Sequence, residues 1–169
     1  MNTRSALKAR LSGYWKMEGI NMILVPAVML WLANWQVGWV SVLPLLCMIS
    51  LLGIGTLYWR AKFHQLESGR DLAPTLGPIA MLQLPMLLLT LAAIVAAALA
   101  WLQPELSRGV ADRWVATAAA LLGLLEYVNY YHRQLQHFDN WDDFKRLRQG
   151  RGFRVSQMAR DIKAMRAKL

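Results

Sequence analysis

Charge is what the middle of this chain lacks. No Asp, Glu, Lys or Arg stands between Glu18 and Arg60, and none between Asp71 and Glu105. Cysteine is nearly absent too: Cys47 is alone, so no disulfide can form within the chain. A small secreted scaffold held by bridges is therefore excluded. The sequence also has no Gly-rich phosphate loop, no Cys pair at metal-ligand spacing and no Ser/His/Asp set flanked by glycines. What it has in abundance is apolar surface. Of 169 residues, 56% are hydrophobic and 17% charged, against about 45–50% and about 25% in soluble domains. Those shares exclude a disordered tail protein and an ordinary soluble DNA-binding domain, and they point to a bilayer.

A hydrocarbon core about 30 Å thick takes roughly 20 apolar residues per helix. The uncharged run 19–59 is long enough for two spans, at about 20–35 and 39–58, joined by the polar, Gly-containing Asn34 to Gly38. A third span is expected at 79–101 and a fourth at 114–131, the last interrupted only by Glu126. The expected fold is an all-α integral membrane protein. It has four transmembrane helices in two hairpins (19–131), a cytoplasmic interfacial segment (1–18) and a basic cytoplasmic tail (132–169) with an amphipathic helix at about 156–168.

The charges orient this arrangement. Of the 19 lysines and arginines, only Arg108 and Arg113 fall on one face of the four-span scheme; all the others fall on the opposite one. The excess of positive charge marks the cytoplasmic side, so both termini are expected inside. None of the eight tryptophans lies in mid-span. Trp31, Trp35, Trp39, Trp101 and Trp114 fall at the outer ends, and Trp15, Trp59 and Trp141 at or beyond the inner ends, as interfacial belts require. The basic start followed by an apolar run resembles a signal peptide. No small-x-small site follows Leu32, however, and a retained signal anchor is expected. With short loops and no organelle signal, a bacterial inner membrane is the expected home.

The first and third spans align at an offset of 59, with Pro26 over Pro85, which suggests two parallel hairpins from a duplication. Small residues (Ala92, Ala93, Ala96, Ala97 and Ala100; Ala116, Ala119, Ala120 and Gly123; and Gly53 and Gly55 of the second span) predict close helix packing.

Glu126 is the sharpest polar feature. It lies about 7.5 Å along the helix from the expected inner end of its span, where an ionised group normally faces the bundle and has a partner. Helical spacing puts Asn129, Tyr130, Arg133 and His137 on the same face. Arg60, Asn21, Gln83 and Glu18 stand at similar depth on other spans. An ion pair of Glu126 with Arg60 or Arg133 is expected. Two readings stay open: a structural clamp that fixes helix rotation, or a polar pocket for a headgroup, ion or proton.

His64, His132 and His137 fall at the cytoplasmic edge, but their spacing departs from any two-histidine metal motif. No metal and no cofactor is expected. In the tail, Ser156 is placed to cap a helix whose Val155, Met158, Ile162 and Met165 recur every three or four residues. Arg154, Arg160, Lys163 and Lys168 are expected on anionic inner-leaflet headgroups, with Trp15 and Trp59 at the same interface. Tethering and the absence of a binding motif argue against nucleic acid. The expected function is that of a non-enzymatic subunit, scaffold or assembly factor acting on a membrane-protein partner or as a homo-oligomer. The alternative is a small transporter, pore or headgroup-binding protein using the Glu126 region.

Overall fold

A computed structural model describes residues 3–135, 145, 148–150 and 152–168. The described residues are all-helical. Six α-helices follow in chain order: α1 (Thr3–Leu32), α2 (Trp39–Ser68), α3 (Ala73–Met81), α4 (Gln83–Leu102), α5 (Val110–Tyr131) and α6 (Gln157–Arg166). A short 3-10 turn, Pro104–Leu106, links α4 to α5.

Three of these helices, α1, α2 and α4, are long and apolar enough to cross a membrane. The expected fourth span coincides with α5, which is long enough at 22 residues. Its Glu126, Asn129, Trp114, Tyr127, Tyr130 and Tyr131 leave it less apolar, and it does not join the other three on that measure. Large apolar side chains face outward along the helices, among them Ile20, Ile23, Leu24, Leu84, Leu88 and Val95. A water-soluble monomer does not expose apolar surface so continuously.

Local sequence sets the breaks. Asn34 and Trp35 both take left-handed backbone conformations, φ 49° and 61°, and turn the chain between α1 and α2. Gly69, at φ 71°, closes α2 with its N–H on the Gln65 carbonyl, the usual left-handed helix end. The chain halts at Leu82 between α3 and α4. Pro85 has no N–H for the Met81 carbonyl, and its ring crowds that carbonyl. Pro26, its counterpart in the sequence repeat, lies inside an unbroken helix instead. The polar N-terminal segment and the first apolar run also form a single 30-residue helix. Charged residues at its start do not end it, because none of Arg4 to Glu18 is a helix breaker.

The core is built around α2. Over their most apolar stretches, α2 is 56% buried, α4 28% and α1 11%, so α2 is the central post and α1 a peripheral one. Cys47, Leu51, Ile54 and Tyr58 of α2 meet Ala93 and Ala97 of α4 and Ala116 and Ala120 of α5. Gly123 lets α5 approach closely: a Cβ there would stand 3.2 Å from Cys47 Sγ. Burying small faces is how membrane helices gain contact without a hydrophobic drive between them. At one end of this bundle the chain returns through an Arg133–Val155 bridge, and α6 docks against α3 and α5 with Met158 and Ile162 buried.

Candidate functional site

Two polar groupings lie inside the helical bundle, at opposite ends of α5. At its N-terminus, Asp112 is fully buried. Its carboxyl accepts from the backbone N–H of Gly38 at 3.0 Å and of Arg108 at 2.8 Å, and from the Ser41 hydroxyl. The Ser41 hydroxyl also lies 2.7 Å from the Asp112 carbonyl. One side chain thus ties the α1–α2 turn, the start of α2 and the start of α5 together. A negative group there also complements the positive end of the α5 dipole. Trp101 closes the neighbouring α4–α5 corner, donating from Nε1 to the Thr117 hydroxyl at 2.9 Å and standing edge-on to Trp114.

The second grouping lies towards the other end of α5 and includes Glu126. Glu18 of α1 is 93% removed from solvent, at 7% relative exposure. It lies close enough to Glu126 for the two carboxyls to repel each other. Between them stands Tyr130, at 2% exposure. Its hydroxyl faces both carboxyls, yet none of its contacts has regular hydrogen-bond geometry. Gly55 of α2 makes the space: a Cβ at that position would collide with the Tyr130 hydroxyl and ring. One helical turn before Glu18, Trp15 Nε1 is also buried without an acceptor. Asn129 donates to Glu126 at 3.4 Å, and its carbonyl oxygen accepts from Leu135 N–H at 2.9 Å.

The expected ion pair of Glu126 with Arg60 or Arg133 is not formed. The Arg60 guanidinium lies over the Trp15 ring, 5.9 Å from its centre. Arg133 donates to the Phe153 carbonyl at 3.2 Å, held there by the chain's return to α6. Among the described residues no Lys, Arg or His forms an ion pair with Glu18 or Glu126. Burying two such groups without compensation costs several kcal/mol per ion if both are charged. Asn21 is half-buried on α1 and shares no hydrogen bond with Glu126 among the described residues. Gln83 lies beside Tyr127 rather than at the carboxyls.

Beyond Tyr130 a cavity of about 30 Å³ separates the bundle from α6, lined by Tyr14, Tyr58, Trp59, Asn129, Gln134 and Gln157 among others. That is room for one or two waters, and the lining offers them polar partners. The far wall is latched. Asp161 of α6 accepts from the Tyr58 hydroxyl and from Lys62 Nζ, both at 2.7 Å, and from Gln157 Nε2 at 3.1 Å. Ser156 caps α6 by accepting from Ala159 N–H at 3.0 Å, and its hydroxyl donates to the Tyr130 carbonyl.

The residues expected at the lipid surface divide. Arg154, Arg160, Lys163 and Lys168 are exposed, whereas Trp15 and Trp59 are half-buried, Trp59 stacking against Tyr14 and Tyr58. His64 Nδ1 is 3.6 Å from Glu67, and His132 lies against the Tyr127 ring. His137 falls outside the described residues. No group of three metal-ligating side chains occurs among the described residues.

Sequence reasoning did not single out Asp112 or Asp161; it placed Tyr130 on the Glu126 face and Gly55 as a small packing residue of the second span, without bringing the two together. For Glu18 a signal was available. Leu11, Glu18, Met22, Pro26, Met29 and Ala33 recur at helical spacing and form the inward stripe of α1, so a carboxylate sits where an apolar residue is due. No protein-family model, curated protein or solved structure matches this chain.

Proposed function

We propose that the chain is a four-span protein of a bacterial inner membrane with both termini cytoplasmic, acting as a non-enzymatic subunit, scaffold or assembly factor. α5 serves as the fourth span, since the hydrophobic α2 and α4 bury its small-residue face and its charged groups point inward or lie at its ends. The concentration of lysine and arginine near α6 makes that end cytoplasmic by the positive-inside rule.

The observation that carries the functional reading is the docking of α6. Its apolar residues Met158 and Ile162 are spent on the bundle, and Asp161 is latched to α2. Arg160, Lys163, Arg166 and Lys168 are left exposed on a helix that cannot swing freely. A fixed cationic platform at the inner leaflet suits anionic headgroups together with an acidic surface of a neighbouring membrane protein, or of a second copy of the chain. Replacing all four residues by Glu is expected to abolish co-purification of that partner in mild detergent while leaving insertion intact. Extraction of the native chain as a partner-free monomer would remove the subunit reading.

One observation favours a second reading, a small transporter, pore or headgroup-binding protein. It is the pairing of the buried Glu18 with the half-buried Glu126 without a basic partner among the described residues. A pure clamp is better served by the arrangement around Asp112, where every donor is matched.

A further inference from the structure

We propose that Glu18, Glu126 and Tyr130 form a binding site for a single positive charge, either a proton or a monovalent metal ion, reached from the α6 side of the bundle. The inference rests on the second reading above but claims binding, not transport.

Four observations converge on it. First, two carboxyls from different helices, α1 and α5, are brought within repelling range of each other. Second, the Tyr130 hydroxyl is deeply buried, faces both and has no regular partner. An oxygen so placed is satisfied when a proton or cation is shared between it and the carboxyls. Third, the position of Tyr130 is built into the packing, since the missing Cβ of Gly55 is what admits its ring and hydroxyl. Fourth, Tyr130 also lines a small cavity with Asn129, Gln134 and Gln157, large enough to hold a water beside the site.

The balance of charge decides the sign of the ligand. The ionisable groups that reach the site are Glu18 from α1 and Glu126 and Tyr130 from α5. α2 contributes Gly55, while its Arg60 is turned onto Trp15. The Asp161 carboxyl of α6 is engaged by Tyr58 and Lys62. Every charge available to the site is therefore negative, and oxygen is the ligand type on offer, which selects a hard cation or a proton.

Thermal unfolding of the purified full chain in detergent tests this. In one arm, N-methylglucamine is replaced stepwise by sodium or potassium at fixed pH and ionic strength. In the other, pH is lowered in N-methylglucamine alone. Occupation of the site raises Tm by about 5–10 °C at saturation, in the first arm for a metal ion and in the second for a proton. The response is lost in Glu18→Gln and Glu126→Gln. A response that persists in both variants, or none in either arm, overturns the proposal. If a variant fails to fold, infrared spectra of the native chain decide instead. A bound proton gives a carboxylic-acid carbonyl stretch that moves on deuteration, and a bound metal shifts the carboxylate bands on its addition; absence of both overturns the site. Binding with no flux in sealed proteoliposomes upholds the site and removes the transport reading. Flux that survives in the double variant removes the site.

Discussion

Asp112 and Glu126 stand on the same helix, and the bundle treats them in opposite ways. Asp112, at the start of α5, has two backbone N–H groups and a serine hydroxyl gathered around it. Glu126, towards the far end of α5, faces another carboxyl and a tyrosine oxygen, with one long amide contact from Asn129. The helix dipole adds to the contrast, favouring negative charge at the first position and not at the second. Burial of a carboxylate is therefore not one phenomenon in this molecule. At one end it is a fastener, complete within the chain. At the other it is incomplete, and an incomplete buried site is costly to keep unless it serves something.

The comparison can be broken most directly at Asp112. Asp112→Ala leaves the Gly38 and Arg108 N–H groups without an acceptor, while Ser41 keeps the backbone carbonyl, and is expected to cost about 2–4 kcal/mol, read as a lowered unfolding midpoint in detergent. A loss below about 1 kcal/mol would show that the fastener is dispensable.

Gly55→Ala should cost about 1–3 kcal/mol by overpacking, because Tyr130 is too enclosed to swing aside. Adding Tyr130→Phe removes the hydroxyl nearest the new methyl group and is expected to recover part of that loss. Strict additivity of the two changes would mean that they do not share the space.

Asp161→Ala should release α6, costing about 1–2 kcal/mol. The effect is local and is best measured as faster hydrogen exchange and proteolysis within 157–166. Unchanged protection there would place the hold on α6 in Met158 and Ile162 alone.

The smallest effect sharpens the contrast most. Glu126→Gln keeps the shape and removes a charge that has no basic partner, so its stability cost in the absence of added cations is expected within about 0.5 kcal/mol. A loss as large as that of Asp112→Ala would put both carboxyls in the same class.

Much of this was legible in the sequence, for physical reasons that can be named. The charge-free runs dictate helices in an apolar setting, and three of them are long and apolar enough to span. Of the expected small-residue faces, Ala93, Ala97, Ala116, Ala120 and Gly123 do pack at the core around α2, whereas Ala92 is exposed. Ser156 does cap its helix. The site was legible in one half only. Glu126 stands out because it interrupts an apolar run. Glu18 does not, since it follows a polar stretch that reads as outside the membrane, while the structure continues that stretch into α1 without a break. Pairing rules also pointed the wrong way. Opposite charges are expected to meet, so Arg60 and Arg133 were the natural partners for Glu126. Local packing of Arg60 on Trp15, and the backbone return at Val155, took both away. Asp112 looked like a loop charge, although an acidic residue three positions after Gly109 is well placed to reach back over a helix start.

The latch on α6 has a consequence for biosynthesis. Asp161 lies 103 residues after Tyr58 and 99 after Lys62, and α6 is made after every helix it touches. Its docking therefore follows the insertion of α2, α3 and α5 and cannot guide it. The cavity beside Tyr130, which Gln157 and Met158 help to line, is therefore complete only after the helices behind it have assembled.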